Sequence, residues 1–195
     1  MPYKKLYNRR QAEADWLPLS WYVKDAGELS WVNNAIQIKR TKALPKSHLR
    51  GMIIQHNTGF MPHALEFRYT IFVAHGLTPE FERFVVIKEL MHLYFGPSGG
   101  GIYATDNPIT LENHMQEMFA ASADIQSHQV KAEKEALWMA IAVITPDKAR
   151  EQFRQDVAAG NMPVANVASI LHIPVHTTKA LLSNQFYHEI SSIME

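Results

Sequence analysis

The sequence predicts an α+β protein with a helical C-terminal part, and three observations lead to this class. Residues 66–74, EFRYTIFVA, have the β-branched and aromatic composition of a strand. Residues 78–95, TPEFERFVVIKELMHLYF, begin with residues that start helices and continue as a mostly apolar run. Beyond residue 146, short helical patterns alternate with Gly and Pro. We therefore divide the chain into residues 1–146, which hold all the predicted strands, and a helical part at residues 147–195.

Composition and charge limit the function classes. Nineteen Lys and Arg residues balance nineteen Asp and Glu residues, which argues against a large basic surface for nucleic acid or anionic membranes. The chain has no Cys, so a metal site would have to draw on its ten His residues. No apolar stretch approaches the roughly 18 residues of a membrane span, and no apolar run follows the N-terminus. We expect a cytoplasmic protein without a membrane partner.

The first third of the chain is predicted to hold one short helix and two strands. Residues 9–16 are predicted as a helix that stops before the Leu-Pro pair that follows. Residues 35–39 alternate around two isoleucines, and residues 49–56 form a second strand that ends at an Asn-Thr-Gly turn. In the third strand, residues 66–74, one face carries Phe67, Tyr69, Ile71 and Val73. This strand leads directly into the long helix.

The helix of residues 78–95 carries its own start signal. Thr78 can accept a hydrogen bond from a free backbone amide, Pro79 suits the first helical position, and two glutamates in the first turn complement the helix dipole. From residue 84 to residue 95, nine of twelve residues are apolar. A helix this apolar is expected to be buried nearly all round.

Three polar residues interrupt this helix and form its candidate site: Lys88, Glu89 and His92. Lys88 and His92 share a face, and Glu89 lies about 100° around the helix from Lys88. The spacing matches H-E-x-x-H, in which two histidines hold Zn²⁺ and the glutamate is the general base for the metal-bound water. Here the motif is K-E-L-M-H, and a protonated lysine has no lone pair for a metal. The alternative for Glu89 and His92 is a buried ion pair or a core histidine.

Three further segments complete the first part. The Gly-rich residues 96–101 are predicted to end the helix and form a loop, and no Lys-Ser or Lys-Thr follows them to support a phosphate site. Residues 111–127 are predicted as a helix. Residues 132–146 form another, with apolar residues at 136, 137, 140, 141 and 144. Glu133 lies at the edge of that face, where it can serve as the last ligand of a zinc site or stabilise the helix N-terminus.

The C-terminal part has a helix-turn-helix outline. A Thr-Pro-Asp start signal opens a helix that is expected to end at Gly160. Residues 163–171 then form a short helix, and after a His-Ile-Pro turn residues 175–183 form a second, which continues toward residue 193. Duplex binding would need basic and amide side chains on the second helix, which offers Lys179 beside a histidine and two threonines. We therefore favour packing or partner binding over DNA binding.

The order of these motifs resembles the ImmA/IrrE metallopeptidase family over roughly residues 49–185. That family has a strand, RFTIAHELGH, then E-x-x-A-N-x-FA-x-x-LL-x-P and a C-terminal helix-turn-helix-like piece. The corresponding segments here are RFVVIKELMHLYF, EKEALWMAIAVITP and ANVASILHIPVHTTKALLS. The residues that match are Arg83, Phe84, Glu89, His92, Glu133, Ala136, Ala140 and Pro146.

The resemblance implies a zincin-like domain with a helical, helix-turn-helix-like C-terminal subdomain. It assigns Glu89 as the general base, and His92 and Glu133 as the second and third zinc ligands. It places the strand before the metal helix beside the cleft, where a substrate chain could pair with an exposed edge. It further implies an intracellular bacterial or phage regulator that cleaves, or at least recognises, a helix-turn-helix repressor protein.

Lys88 is the main departure from the family pattern, because it replaces the first zinc ligand. His92 and Glu133 are also 41 positions apart, which is long for the family and makes residues 111–127 an insertion. Near two carboxylates Lys88 should stay protonated, so that its ammonium can take the place of the metal and pair with Glu89 and Glu133. A retained zinc would need a further ligand, for which the candidates are His56, His75, His114 and His128.

These observations lead to three function hypotheses. We favour a catalytically impaired regulatory protein that recognises a partner such as a helix-turn-helix repressor. The first alternative is an active zinc-dependent endopeptidase in which Glu89 activates water, and stoichiometric zinc at His92 and Glu133 would support it. The second is a DNA-binding regulator that acts through residues 163–184, which predicts salt-sensitive duplex binding.

Overall fold

A three-stranded sheet with one long helix packed on it forms the centre of the N-terminal part. The computed structural model describes residues 2–29, 36–44, 50–55, 69–95 and 128–195. The strands are β1 (Ile36–Thr41), β2 (Gly51–Gln55) and β3 (Tyr69–Ala74). Their order is β1-β3-β2, with β1 parallel and β2 antiparallel to β3. Ile38 and Ile53 both pair with Ile71, so the three strands are in register at the middle of the sheet.

Eight α-helices and one 3-10 turn lie in the described residues. In chain order they are α1 (Pro2–Arg10), α2 (Leu19–Gly27), α3 (Pro79–Met91), the 3-10 turn (His92–Phe95), α4 (His128–Ala142), α5 (Asp147–Ala158), α6 (Val164–Leu171), α7 (Val175–Leu181) and α8 (Gln185–Met194). The predicted α+β class is confirmed. Within these described segments, no helix has the length and apolar character needed to cross a membrane.

The predicted helix at residues 9–16 is wrong, because α1 ends at Arg10 and α2 does not begin until Leu19. The guanidinium of Arg10 is fully buried and donates hydrogen bonds to the carbonyl oxygens of Ala14 and Asp15, at 2.7 and 2.9 Å. It also donates to two carbonyl oxygens just beyond the end of α4. One side chain thus satisfies backbone acceptors in the loop between α1 and α2 and beyond the end of α4.

The three predicted strands are confirmed with small changes of bounds, but the expected exposed edge of the third strand is not present. β3 is the central strand, since β1 and β2 occupy its two sides. Both faces of β3 are mostly covered, because Thr70 and Ala74 are buried as well as Tyr69, Ile71 and Val73. A chain that extends this sheet would therefore have to pair with β1 or β2.

Helix α3 begins and packs as predicted. The side-chain oxygen of Thr78 accepts a hydrogen bond from the Phe81 amide at 3.4 Å, and Pro79 is the first helical residue. The helix is buried along most of its length and packs against β2, β3, α2 and α4. Its α-helical part ends at Met91, earlier than predicted, and the chain continues to Phe95 as the 3-10 turn.

Helix α4 packs its small residues inward. Its buried residues include Trp138, Met139 and Ile141, and its alanines at 132, 136 and 140 form a buried stripe along the helix. Leu137, which was predicted to belong to the buried face, is 36% exposed, whereas Ile141, one turn further along the same face, is buried. Small side chains on this stripe let the backbone of α4 come close to its neighbours.

The C-terminal part holds a short helix, a turn and a second helix at the predicted places, with two corrections. α5 is preceded by Pro146 at its cap position, so the Thr of the predicted start signal is not the cap. Between α6 and α7, His172 adopts a left-handed conformation with φ 51°. The predicted continuation of the second helix toward residue 193 is wrong, because the chain breaks after α7. There the Ser183 hydroxyl donates a hydrogen bond to the Ala180 carbonyl at 2.8 Å, which competes with helical pairing.

Several predicted features lie outside the described residues. They are the Gly-rich loop at residues 96–101, the helix at residues 111–127, and His56 and His114.

Strand β2 crosses α3 at a point where no side chain fits on the strand. A Cβ atom added at Gly51 would overlap Val85 and would lie 3.0 Å from the Oε1 atom of Glu89. Gly51 itself is buried. The missing side chain therefore sets how closely β2 approaches the part of α3 that carries the polar residues.

We predict that Gly51→Ala lowers the free energy of unfolding by roughly 1–3 kcal/mol, because the added methyl group overpacks this contact. Urea denaturation measures the change. Val85→Ala, added to the same variant, should recover part of the loss by removing the side chain that the new methyl meets. A Gly51→Ala protein as stable as the parent would show that β2 and α3 are further apart than described.

Candidate functional site

The structure brings the four candidate residues together. Lys88 and Glu89 lie on the last turns of α3, His92 opens the 3-10 turn, and Glu133 lies near the start of α4. Lys88 Nζ donates a hydrogen bond to Glu133 Oε2 at 2.5 Å and lies 2.8 Å from Glu89 Oε1. His92 Nε2 lies 3.2 Å from the other oxygen of Glu133. We call these four residues the Lys88 cluster.

The Lys88 cluster is buried on one side and partly open on the other. The side chains of Glu89 and His92 are only 3% and 4% exposed. Those of Lys88 and Glu133 are 17% and 25% exposed. Glu89 lies beneath Gly51 of β2, so that solvent reaches the cluster from the side of Glu133.

The charges of the cluster stabilise one another. Burial alone would lower the pKa of Lys88, but the negative charges of Glu133 and Glu89 outweigh it and hold that pKa well above its ordinary value. Burial alone would raise the pKa of Glu133, and the charges of Lys88 and His92 instead hold it well below its usual range. For His92, burial is again opposed by Glu133, and the net effect is a raised pKa. Lys88 and Glu133 are therefore a charged pair at neutral pH.

Local sequence explains why α4 delivers Glu133 to this place. Glu133 borders the buried alanine stripe, next to Ala132, so that the packing of α4 directs its carboxylate toward α3. The positions of the two glutamates relative to Lys88 also favour this pairing. Lys88 is flanked by Glu89 in sequence and by Glu133 in space, so its ammonium has an acid on either side.

A second network fixes the end of α3, and sequence reasoning did not identify it. The hydroxyl of Tyr94, in the 3-10 turn, donates a hydrogen bond to Asp25 of α2 at 2.5 Å. Asp25 is buried and also forms an ion pair with Arg9 of α1. The ring of His92 lies 5.9 Å from that of Phe95. No signal in the sequence indicates this contact, because Asp25 directly follows Lys24 and would be expected on a polar face of α2.

The residues present do not fit a zinc ion. Zinc needs lone-pair donors in a tetrahedral arrangement, and a protonated amine offers none at the position of the first ligand. Within the described ranges, no three His, Asp or Glu side chains are grouped so that they could hold a metal ion. His75 is exposed in the turn after β3, and the structure does not describe the side chain of His128.

The fold and the site define an α+β protein with a lysine-centred ion cluster between two helices. Comparison with protein-family models, with curated proteins and with solved structures found no match to this chain.

We predict that Lys88→Met lowers the free energy of unfolding by about 3 kcal/mol, since it leaves two carboxylates without their cation. Chemical denaturation at neutral pH measures the loss. The matched control is Lys131→Met, because Lys131 is an exposed lysine in a loose ion pair with Glu135 on α4. That control should change stability by less than about 0.5 kcal/mol. Equal effects of the two substitutions would contradict the cluster described here.

We also predict a pH window for the contribution of Glu133 to stability. The pKa of Glu133 is lowered from 4.5, so its contribution is present above about pH 4.5 and is lost as the pH falls below it. The pKa of His92 is raised from 6.5, so its contribution is complete below about pH 6.5 and is lost as the pH rises through the folded value. The difference in unfolding free energy between the parent and Glu133→Gln should therefore be largest between these values. Denaturation at acidic, intermediate and alkaline pH tests this, and a difference independent of pH would refute it.

Proposed function

We propose that this chain is a catalytically impaired regulatory protein with a zincin-like scaffold of the ImmA/IrrE kind, and that it recognises a protein partner such as a helix-turn-helix repressor. The observation that carries the proposal is the position of the Lys88 ammonium, 2.8 Å from Glu89 and 2.5 Å from Glu133. The order of the motifs supports the kinship, and the lysine supports the loss of catalysis.

The same lysine argues against water activation by Glu89. A general base must reach the water that it deprotonates, and the carboxylate of Glu89 instead lies 2.8 Å from the Lys88 ammonium. Glu89 is also almost fully buried beneath β2. In place of a divalent cation, the pocket holds one ammonium with a fixed position and no Lewis acidity.

Recognition of a protein is favoured over recognition of DNA. The second helix of the helix-turn-helix outline, α7, has seven residues and buries Thr177, Thr178 and Leu181. Lys179 is its single basic residue apart from His176. With a net charge of zero over the chain, this offers little for phosphate contacts. Duplex binding at low salt would therefore be unexpected.

An active zinc endopeptidase is the alternative, and it has its own structural requirement. Lys88 would have to turn out of the cluster so that His92 and Glu133 could bind the metal with a further ligand. Such a change would separate Lys88 from both carboxylates.

We predict that the parent protein, purified without added zinc, contains less than about one tenth of a zinc per chain, because Lys88 removes one of three necessary ligands. Lys88→His should raise the content toward one zinc per chain, since an imidazole at position 88 completes the ligand set. Lys88→Arg is the matched control, keeps the positive charge, and should stay free of zinc. The zinc content of each protein is measured by mass spectrometry. One zinc per chain in the parent protein, lost in Glu133→Gln, would overturn the proposal.

A second experiment separates recognition from cleavage. Purified helix-turn-helix repressors are incubated with the parent protein, and complexes are detected by size-exclusion chromatography and fragments by mass spectrometry. The proposal expects a complex with an intact repressor. Cleavage that requires zinc and is abolished by Glu89→Gln would establish the endopeptidase instead.

A further inference from the structure

The ammonium of Lys88 has more donors than the cluster uses. A lysine side chain carries three N–H bonds. One is donated to Glu133 Oε2, and Glu89 Oε1 is the second close partner. Within the described part of the chain, no third oxygen lies in hydrogen-bond contact with Lys88. At least one N–H bond is therefore available to a molecule that enters the site.

The surroundings of the Lys88 cluster differ between its two sides. On one side, Gly51 of β2 lies against the carboxylate of Glu89 and shields it. On the other, the partly exposed side chains of Lys88 and Glu133 form the open face of the cluster. A bound group would approach Lys88 past Glu133.

The charge of the cluster selects among oxygen acceptors. One ammonium faces two carboxylates, so the cluster is negative when His92 is neutral and has no excess positive charge even when His92 is protonated. A carboxylate or phosphate that approached Lys88 would meet the charge of Glu133 at close range. A neutral carbonyl oxygen can accept the hydrogen bond without that repulsion.

We propose that Lys88 binds a neutral amide carbonyl oxygen of the partner's polypeptide chain, and that the cluster discriminates against anionic groups. This inference rests on the proposed role in partner recognition and deepens it, because it names the chemical group that the site accepts. Lys88 then acts as a hydrogen-bond donor at the place where the related enzymes would hold a metal.

The test uses the full chain labelled with ¹⁵N-lysine and follows the Lys88 ammonium signal by NMR, assigned with Lys88→Met. The probes are N-acetylglycine N-methylamide, which is neutral, and sodium acetate, with sodium chloride as the ionic-strength control. We expect the amide to shift the Lys88 signal at least roughly fivefold more per unit concentration than acetate does, because of the repulsion by Glu133.

Glu133→Gln is the charge control, since it removes one carboxylate while Glu89 still pairs with Lys88. In this variant the effect of acetate should rise to at least that of the amide. Acetate that remains ineffective in Glu133→Gln would overturn the charge argument.

The outcomes separate this inference from the function it rests on. A parent protein in which acetate is as effective as the amide, or in which neither exceeds chloride, refutes the carbonyl site and leaves the paired lysine intact. A Lys88 signal that matches the exposed lysines, together with bound zinc, refutes the proposed function itself.

Discussion

The ion pair between Lys88 and Glu133 joins the two helices on which the site is built. It links the end of α3 to the start of α4, at a depth where an unpaired charge would be costly. Glu89 and His92 extend the pair into a cluster whose members shift one another's pKa toward the charged forms of Lys88 and Glu133. The charged side chains of the cluster can be buried because each lies beside a side chain of opposite charge.

The scaffold around the cluster is built to keep it in place. Gly51 lets β2 lie against Glu89, and the alanines of α4 let that helix approach closely enough for Glu133 to reach Lys88. Tyr94 and Asp25 anchor the turn that begins with His92. Because the stem of Lys88 tethers its ammonium to α3, Glu133 can pair with it only when α4 lies this close.

The sequence predicted the parts of the structure that depend on local signals. The cap of α3 and its burial followed from spacing and residue type, whereas the meeting of Lys88 with Glu133 was expected from the resemblance to a metallopeptidase family. The errors arose where distant contacts decide. Arg10, the last residue of α1, binds carbonyls in the following loop and beyond α4, and β3 is central because β1 and β2 both pair with it. Such contacts leave no periodic pattern in the sequence of the segments that make them. The role of Gly51 likewise depends on Val85 and Glu89, which are distant from it in the sequence.

The most direct test is a crystal structure of the parent protein soaked in zinc, with anomalous diffraction data collected at the zinc absorption edge. Our account predicts electron density for the Lys88 side chain between the two carboxylates and no anomalous peak within coordination distance of His92 or Glu133. An anomalous peak bound by those two residues, with Lys88 turned toward solvent, would contradict it.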